Sequence, residues 1–464
     1  MTSAITAAGL RKSFGGKTVL AGIDLEVGAG TTFSLLGPNG AGKTTTVQIM
    51  ATLVRADGGE VRVAGHDVAA DPAAVRAAIG VTGQFSAVDN LLTGEENLLL
   101  MADLHHLGRA EGRRRAARLL DTFGRRARRG GPGPRRRVPA RGHADAGGAQ
   151  RRRRGRGAGA AEPARRVRGR GRRGVRAHPR SRRRVLRPHR APGRRDDARD
   201  GGRAMTTMAL AVRDSATMTR RSLRHVLRYP VTLVVAVVVP VLVLLLFIGV
   251  FGALKTSLGA GAHVSYIDYV LPGIIVMTAG YGSSVTAQSV NRDATEGIIA
   301  RFRTMAISPA SVLHGHVATA LARTLVSVAL VIGVAIGLGF RAGAGAGRWL
   351  AAAGVTVLLV LALSWLAVSV GLAAKAVEGT TGFILIVQVL PFISSAFVPP
   401  GQMSGSVRWF AAHEPFTPVI DTLRGLLAGT PSGGTVLAAV AWCAGLALAG
   451  YLWARVLFRR DLNR

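Results

Sequence analysis

The sequence predicts a mixed chain: a partial α/β domain, an arginine-rich middle without regular structure, and an all-α membrane domain of six helices. Three observations carry this reading. A short apolar run leads into a glycine loop and a Lys-Thr-Thr helix start near residue 40. After residue 123 the composition collapses to arginine, glycine, alanine and proline. From residue 230 onward, uncharged apolar stretches recur that are long enough to cross about 30 Å of hydrocarbon. The parts are bounded at 1–122, 123–204 and 205–464. With 464 residues the chain has ample length for several cores.

In the first part, residues 32–36 form an apolar run of the kind that reads as a buried strand. Gly37, Pro38, Asn39, Gly40, Ala41, Gly42, Lys43, Thr44 and Thr45 then satisfy the phosphate-loop pattern G-x-x-x-x-G-K-[ST] at every fixed position. The glycines allow a backbone curl whose N–H groups converge on an anion. A helix starting near Lys43 aims its positive end at the same point. Lys43 is the side chain for the β- and γ-phosphates of a nucleotide, and the Thr44 hydroxyl is the ligand for Mg²⁺. Strand, glycine loop and helix together make a nucleotide site, with ATP and Mg²⁺ as its expected occupants.

The residues around that loop narrow the family. The run L-G-P-N-G-A-G-K-T-T at 36–45 resembles the Walker A of an ABC transporter ATPase, and I-G-V-T-G-Q at 79–84 resembles its Q-loop strand. The wording G-V-T-G-Q-F-S-A-V-D, with G-H-D-V at 65–68, is similar to the daunorubicin/doxorubicin-resistance type of drug exporter. The resemblance runs from about residue 5 to about residue 122. It implies that Phe14 stacks on adenine and that Gln84 senses the γ-phosphate and Mg²⁺. As plain residues, Phe14 is equally a half-buried strand position and Gln84 a polar loop position.

The net charge of +36 suggests nucleic acid until its distribution is read. Residues 124–203 hold 30 arginines, no lysine and five acidic residues, which is +25 of the total. Ile, Phe, Tyr, Trp, Met, Asn and Thr are also absent from this stretch. No apolar periodicity survives, so no packed element can be drawn. A basic arm selected for phosphate binding would mix lysine with arginine, since both neutralise phosphates. The missing residues share A/T-rich codons, which points to an out-of-frame reading of GC-rich DNA. Codons for Val-Val-Phe-Val-Asp-Glu, shifted by one base, give Arg-Arg-Val-Arg-Gly-Arg, the sequence at 165–170. A disordered nucleic-acid-binding linker is the rival reading, and nucleic acid is not the expected partner. The resemblance implies a Walker B Asp, a Glu base, a signature motif and a switch His, and none of these stands in the chain. Asp145, Ala146, Gly147 and Gly148 do not supply the signature. The ATPase part is therefore expected to be incomplete, with catalytic residues unassigned, since phosphoryl transfer depends on positioned charge.

Ordinary protein resumes at Met205. Arg220, Arg221, Arg224 and Arg228 form a basic lead-in expected at the membrane surface. Spans follow at 230–252, 268–290, 314–340, 349–373, 381–399 and 434–457. Arg292, Arg301, Arg303, Lys375, Arg455, Arg459 and Arg460 outnumber the basic residues of the opposite loops, so both ends are expected in the cytoplasm of a multi-pass plasma-membrane protein. The N-terminal residues carry no signal-peptide pattern. Cys443 is the single cysteine and lies in an apolar run.

Residues 205–464 resemble the type-2 permease of the same exporter family. The likeness is carried by E-G-I-I-A-R-F-R-T-M-A-I-S-P at 296–309 and by P-P-G at 399–401 with Trp409, Phe410, Pro415 and D-T-L-R-G-L-L at 421–427. It implies a coupling loop built on Glu296, Gly297, Arg301, Arg303 and Pro309 that docks on the ATPase, and a re-entrant segment before the last span. Trp409 and Phe410 suit an interfacial aromatic belt. His413 and Glu414 are expected to be solvated. Gln388 either faces a substrate route or hydrogen-bonds a neighbouring helix. The resemblance also implies a small hydrophobic or amphipathic drug as cargo, and either a homodimer or pairing with an intact ATPase subunit.

Overall fold

The computed structural model describes residues 3–82, 88–129, 200–251, 266–341 and 343–459. Residues 130–199 of the arginine-rich tract, and Gln84, lie outside the described residues.

The N-terminal part is built on one four-stranded sheet of order β2-β1-β3-β4: β1 (Ser3–Phe14), β2 (Lys17–Gly28), β3 (Gly58–Val63) and β4 (His66–Asp67). All its pairings are antiparallel. Gly15 and Gly16 close the β1–β2 hairpin with φ 51° and 83°, the left-handed pair a two-residue hairpin loop requires. Leu10, Leu20, Ile49, Val61, Val63 and Val75 form its core, with α1 (Lys43–Met50) and α2 (Pro72–Ala78) packed on it.

The sequence reading expects a partial α/β sheet with a strand at residues 32–36. Residues 31–38 instead run without a ladder, and Phe33 and Leu36 are 51% and 89% exposed. A parallel central strand needs a neighbour to satisfy its N–H and C=O groups. Among the described residues no strand stands beside them to do so. Two helices follow, α3 (Gly94–Leu104) and α4 (Arg109–Arg129). A full capping box starts α3: Thr93 Oγ1 accepts from Glu96 N, and the Glu96 carboxylate accepts from Thr93 N.

From α5 (Asp200–Arg228) onward the chain is helical: α6 (Val231–Phe251), α7 (Tyr266–Thr295), α8 (Ile298–Arg303), α9 (Pro309–Gly337), α10 (Ala346–Ala373), α11 (Thr381–Val389), α12 (Gly405–His413), α13 (Phe416–Ala428) and α14 (Gly433–Arg459). Among the described residues five helices, α6, α7, α9, α10 and α14, are long and apolar enough to cross a membrane. The sixth expected span is shorter. Its helix α11 ends at Val389 and gives way to a tight turn over Leu390–Ile393, where Pro391 lacks the N–H an α-helix needs. Helix α7 sits at the centre, with Val270, Leu271, Ile274 and Val276 fully buried. Gly371 of α10 meets it closely: a Cβ there would stand 2.6 Å from Ala287 O.

Candidate functional site

The phosphate loop precedes α1 and is solvent-exposed from Gly37 to Ala41. Gly40 and Gly42 have φ 86° and 80°, and Ala41 N donates to Pro38 O at 3.2 Å. Gly42 caps α1 without any side-chain acceptor, so the N–H groups of the first turn are presented outward. A Cβ on Gly42 would strike Leu20 Cδ2 and come within 3.0 Å of Val19 O, so both the left-handed φ and the space demand glycine. Lys43 Nζ folds over the loop and donates to Gly37 O and Pro38 O, both at 2.7 Å. Thr44 is exposed and Thr45 half-buried. Phe14 ends β1 half-buried, with Lys12 Nζ 5.0 Å from its ring centroid. Lys12 in turn pairs with Asp57 at 2.8 Å. That bond and the Ser13 N–H hold the Asp57 carboxyl below its usual range.

These residues fit nucleotide phosphates: a glycine cradle, an uncapped helix start and a lysine on one loop. They do not complete a Mg²⁺ site. Thr44 is the one expected ligand among the described residues, and no group of three or more His, Cys, Asp or Glu is placed to hold a metal there.

Beside α1 lies the loop expected to couple the two parts. Gly297 caps α8 in the left-handed conformation, φ 79°, while Ile298, Ile299 and Phe302 are buried and Glu296 is exposed. Pro309 is the first residue of α9. A cavity of about 480 Å³ is lined by Lys43, Thr44 and Gln48 on one side and Gly297, Arg301 and Thr304 on the other. The structure thus brings Lys43 and Thr44 to the same cavity as Gly297 and Arg301. Arg303 points to a different one, with its guanidinium 5.5 Å from the Phe458 ring centroid.

A buried ionic cluster joins the same two parts, and sequence reading missed it. Arg221 of α5 is 3% exposed and bonds two carboxylates. Its Nε donates to Asp89 Oδ2 at 2.6 Å, and its Nη1 and Nη2 donate to Asp293 at 2.6 and 3.0 Å. His225 stands 2.8 Å from Asp89 and His316 3.3 Å from Asp293. Burial opposes the charge on Arg221, yet Asp293 and Asp89 hold its pKa above the ordinary guanidinium value. Burial alone would raise Asp89, but His225 and Arg221 hold it below the usual carboxylate range. Further along α5, Asp214 accepts from Ser308 N at 3.0 Å and faces His106 at 3.8 Å, and Arg228 bonds Glu96 and Leu91 O. The expected surface lead-in is therefore corrected for Arg221, which is buried; Arg228 stays exposed while it bonds α3.

At the other end of the bundle, Arg424 bonds Asp421 at 2.6 Å and Ser395 O at 2.7 Å and lies 4.0 Å over the Tyr269 ring centroid. His413 is exposed as expected, but Glu414 is 4% exposed. Its carboxylate accepts from Phe416 N at 2.7 Å and from Thr417 N, satisfying the start of α13, which is why it is not solvated. Trp409 is 66% exposed, and Gln388 is half-buried.

Comparison with known proteins finds two family matches. Residues 20–153 match the ABC transporter family, and residues 214–428 match the ABC-2 type transporter family. A daunorubicin resistance ATP-binding protein of Streptomyces coeruleorubidus is 55% identical over 120 residues, 26% of this chain and 37% of that protein. The daunorubicin/doxorubicin resistance ATP-binding protein of Streptomyces peucetius is 51% identical over 123 residues, again 26% and 37%. A linearmycin resistance ATP-binding protein of Bacillus subtilis is 36% identical over 120 residues, 26% and 39%. The chain spans little more than a third of the length of these relatives. One polypeptide here joins an ABC-transporter ATP-binding segment to an ABC-2 type membrane domain. The three relatives named above are resistance ATP-binding proteins.

Proposed function

We propose that this chain serves ATP-driven export of an antibiotic-like hydrophobic or amphipathic compound across the plasma membrane. In this reading residues 1–122 are a truncated ATP-binding domain, and residues 205–464 are the permease domain, with both ends cytoplasmic. Six membrane segments are counted when the broken α11 is included. The observation that carries the reading is the shared cavity: Lys43 and Thr44 line one wall, and Gly297 and Arg301 of the coupling loop line the other. A change at the nucleotide is thereby adjacent to the element that reaches the membrane helices.

Lys43, Thr44 and the loop of Gly37, Gly40 and Gly42 hold nucleotide phosphates, with Phe14 beside the base and Gln84 near the γ-phosphate. Thr44 would give one ligand to a Mg²⁺ ion, whose charge would help neutralise the nucleotide phosphates. In this reading the chain contributes binding and orientation, and no base to position water is assigned among the described residues. The permease part accordingly borrows an intact ATPase, either a separate subunit or a partner in a dimer. That second reading is favoured by the missing carboxylates. It is tested by purifying the chain in lipid and measuring binding of a fluorescent ATP analogue, ATP turnover, and drug uptake into inside-out vesicles with and without an added intact ATP-binding subunit. Analogue binding lost in Lys43→Ala, no turnover alone, and drug uptake restored by the added subunit are expected. Lys43-dependent turnover by the chain alone overturns the truncation, and no uptake in any combination overturns the transport reading.

A further inference from the structure

We propose that a cavity at the phosphate-loop end of the bundle binds the phosphate headgroup of an anionic lipid. The cavity measures about 390 Å³ and is lined by Arg303, His314, Trp365, Tyr451, Arg455 and Phe458, with Arg76 of the N-terminal part at its edge. No Asp or Glu lines it. The aromatic residues form a continuous wall. Trp365 meets Tyr451 edge to face at 4.9 Å, and His314 meets Trp365 at 5.7 Å. Guanidinium groups stand over this wall: Arg303 is 5.5 Å from the Phe458 centroid and Arg455 is 5.6 Å from that of Tyr451. Arg76 donates to Thr52 at 3.1 Å.

The position selects an amphiphile. Arg455 stands four residues from the end of α14, and His314 five residues into α9, so the polar side chains are near the ends of apolar helices. Trp365 lies eight residues before the end of α10, about 12 Å further in at 1.5 Å per residue. The cavity therefore runs from the level of lipid headgroups toward hydrocarbon. On α14, Leu452, Trp453 and Val456 flank Arg455 and are 50%, 44% and 47% exposed, an apolar track for an acyl chain. Basic and aromatic side chains at this depth attract acidic lipids. The phosphate bridges the end of α8 to the last helix, so lipid charge would set how firmly the coupling loop is seated. The inference rests on the membrane reading above and not on nucleotide chemistry.

The test uses the full chain in bilayer nanodiscs of phosphatidylcholine containing a trace of photoactivatable phosphatidylglycerol. Expected is labelling of residues 303–314 and 451–458. It falls at least about tenfold in the Arg303→Gln/Arg455→Gln double variant, because each basic contact near an anionic surface matters separately. The Arg303→Lys/Arg455→Lys variant, which keeps the charge, retains most of the labelling. Equal labelling by photoactivatable phosphatidylcholine, or no loss in the Gln variant, overturns the site. Loss of labelling on adding millimolar inorganic phosphate assigns the cavity to a soluble anion and overturns the lipid source. A chain that fails to enter nanodiscs contradicts the membrane reading instead, so the two failures are separable.

Discussion

Replacing Arg221 by Met removes the one cation that Asp89 and Asp293 share. The three groups are nearly sealed from water, at 3%, 4% and 6% exposure. The lost bonds are the 2.6 Å contact to Asp89 and the paired contact to Asp293. Two carboxylates would then face each other across a methionine, and removing one partner from a buried ion cluster costs about 3–5 kcal/mol. Only one side of the cluster, Asp89, belongs to the N-terminal part, so the cost falls on the contact between residues 89–104 and α5. Amide hydrogen exchange followed by mass spectrometry reads it directly. Protection across residues 89–97 should fall by roughly a hundredfold or more in Arg221→Met, at about 1.4 kcal/mol per tenfold. The triple variant Arg221→Met, Asp89→Asn, Asp293→Asn should recover most of it, since neutral amides do not repel. Unchanged protection in Arg221→Met would refute the assignment of this cluster as the joint. So would failure of the triple variant to improve on the single one.

Other consequences follow from the same geometry. Gly42→Val should abolish binding of a fluorescent ATP analogue and lower the thermal midpoint, because Leu20 and the Val19 carbonyl already fill the space; a variant binding as well as the parent would contradict the packing. Thr93→Ala removes half of a capping box and should weaken α3 by about 0.5–2 kcal/mol, seen as faster exchange at Glu95 to Asn97. For pH, Asp89 is held below the usual carboxylate range in the folded chain. The stability it contributes is therefore present above the unfolded carboxylate pKa and is lost as pH falls through the lower folded value. Exchange protection at residues 89–97 should accordingly be flat from pH 7 to 5 after correction for intrinsic rates, and should decline only under more acidic conditions; a loss between pH 7 and 6 would count against it.

The phosphate loop was legible because its spacing is enforced by backbone geometry: Gly42 has no alternative beside Leu20. The long apolar helices were legible for the same kind of reason, since crossing hydrocarbon demands length. Residues 32–36 were misread because local pattern reports burial only when a partner strand exists to bury against. The shortness of α11 was not legible, because apolar composition measures hydropathy and not helix continuity, and Pro391 interrupts it. Arg221 looked like one more cation of a surface lead-in. Its partners, Asp89 and Asp293, are 132 and 72 residues away, so nothing in the local sequence could reveal them.

The groups that fasten α5 to the N-terminal part come from two separate stretches of the chain. Asp214, Arg221, His225 and Arg228 all follow Met205, whereas Asp89, Glu96, Leu91 and His106 all precede the arginine tract. No bond of this joint is supplied by the intervening residues described here. A polypeptide begun at Met205 would carry one complete half of the fastening, and any ATP-binding subunit presenting the matching carboxylates could snap onto it.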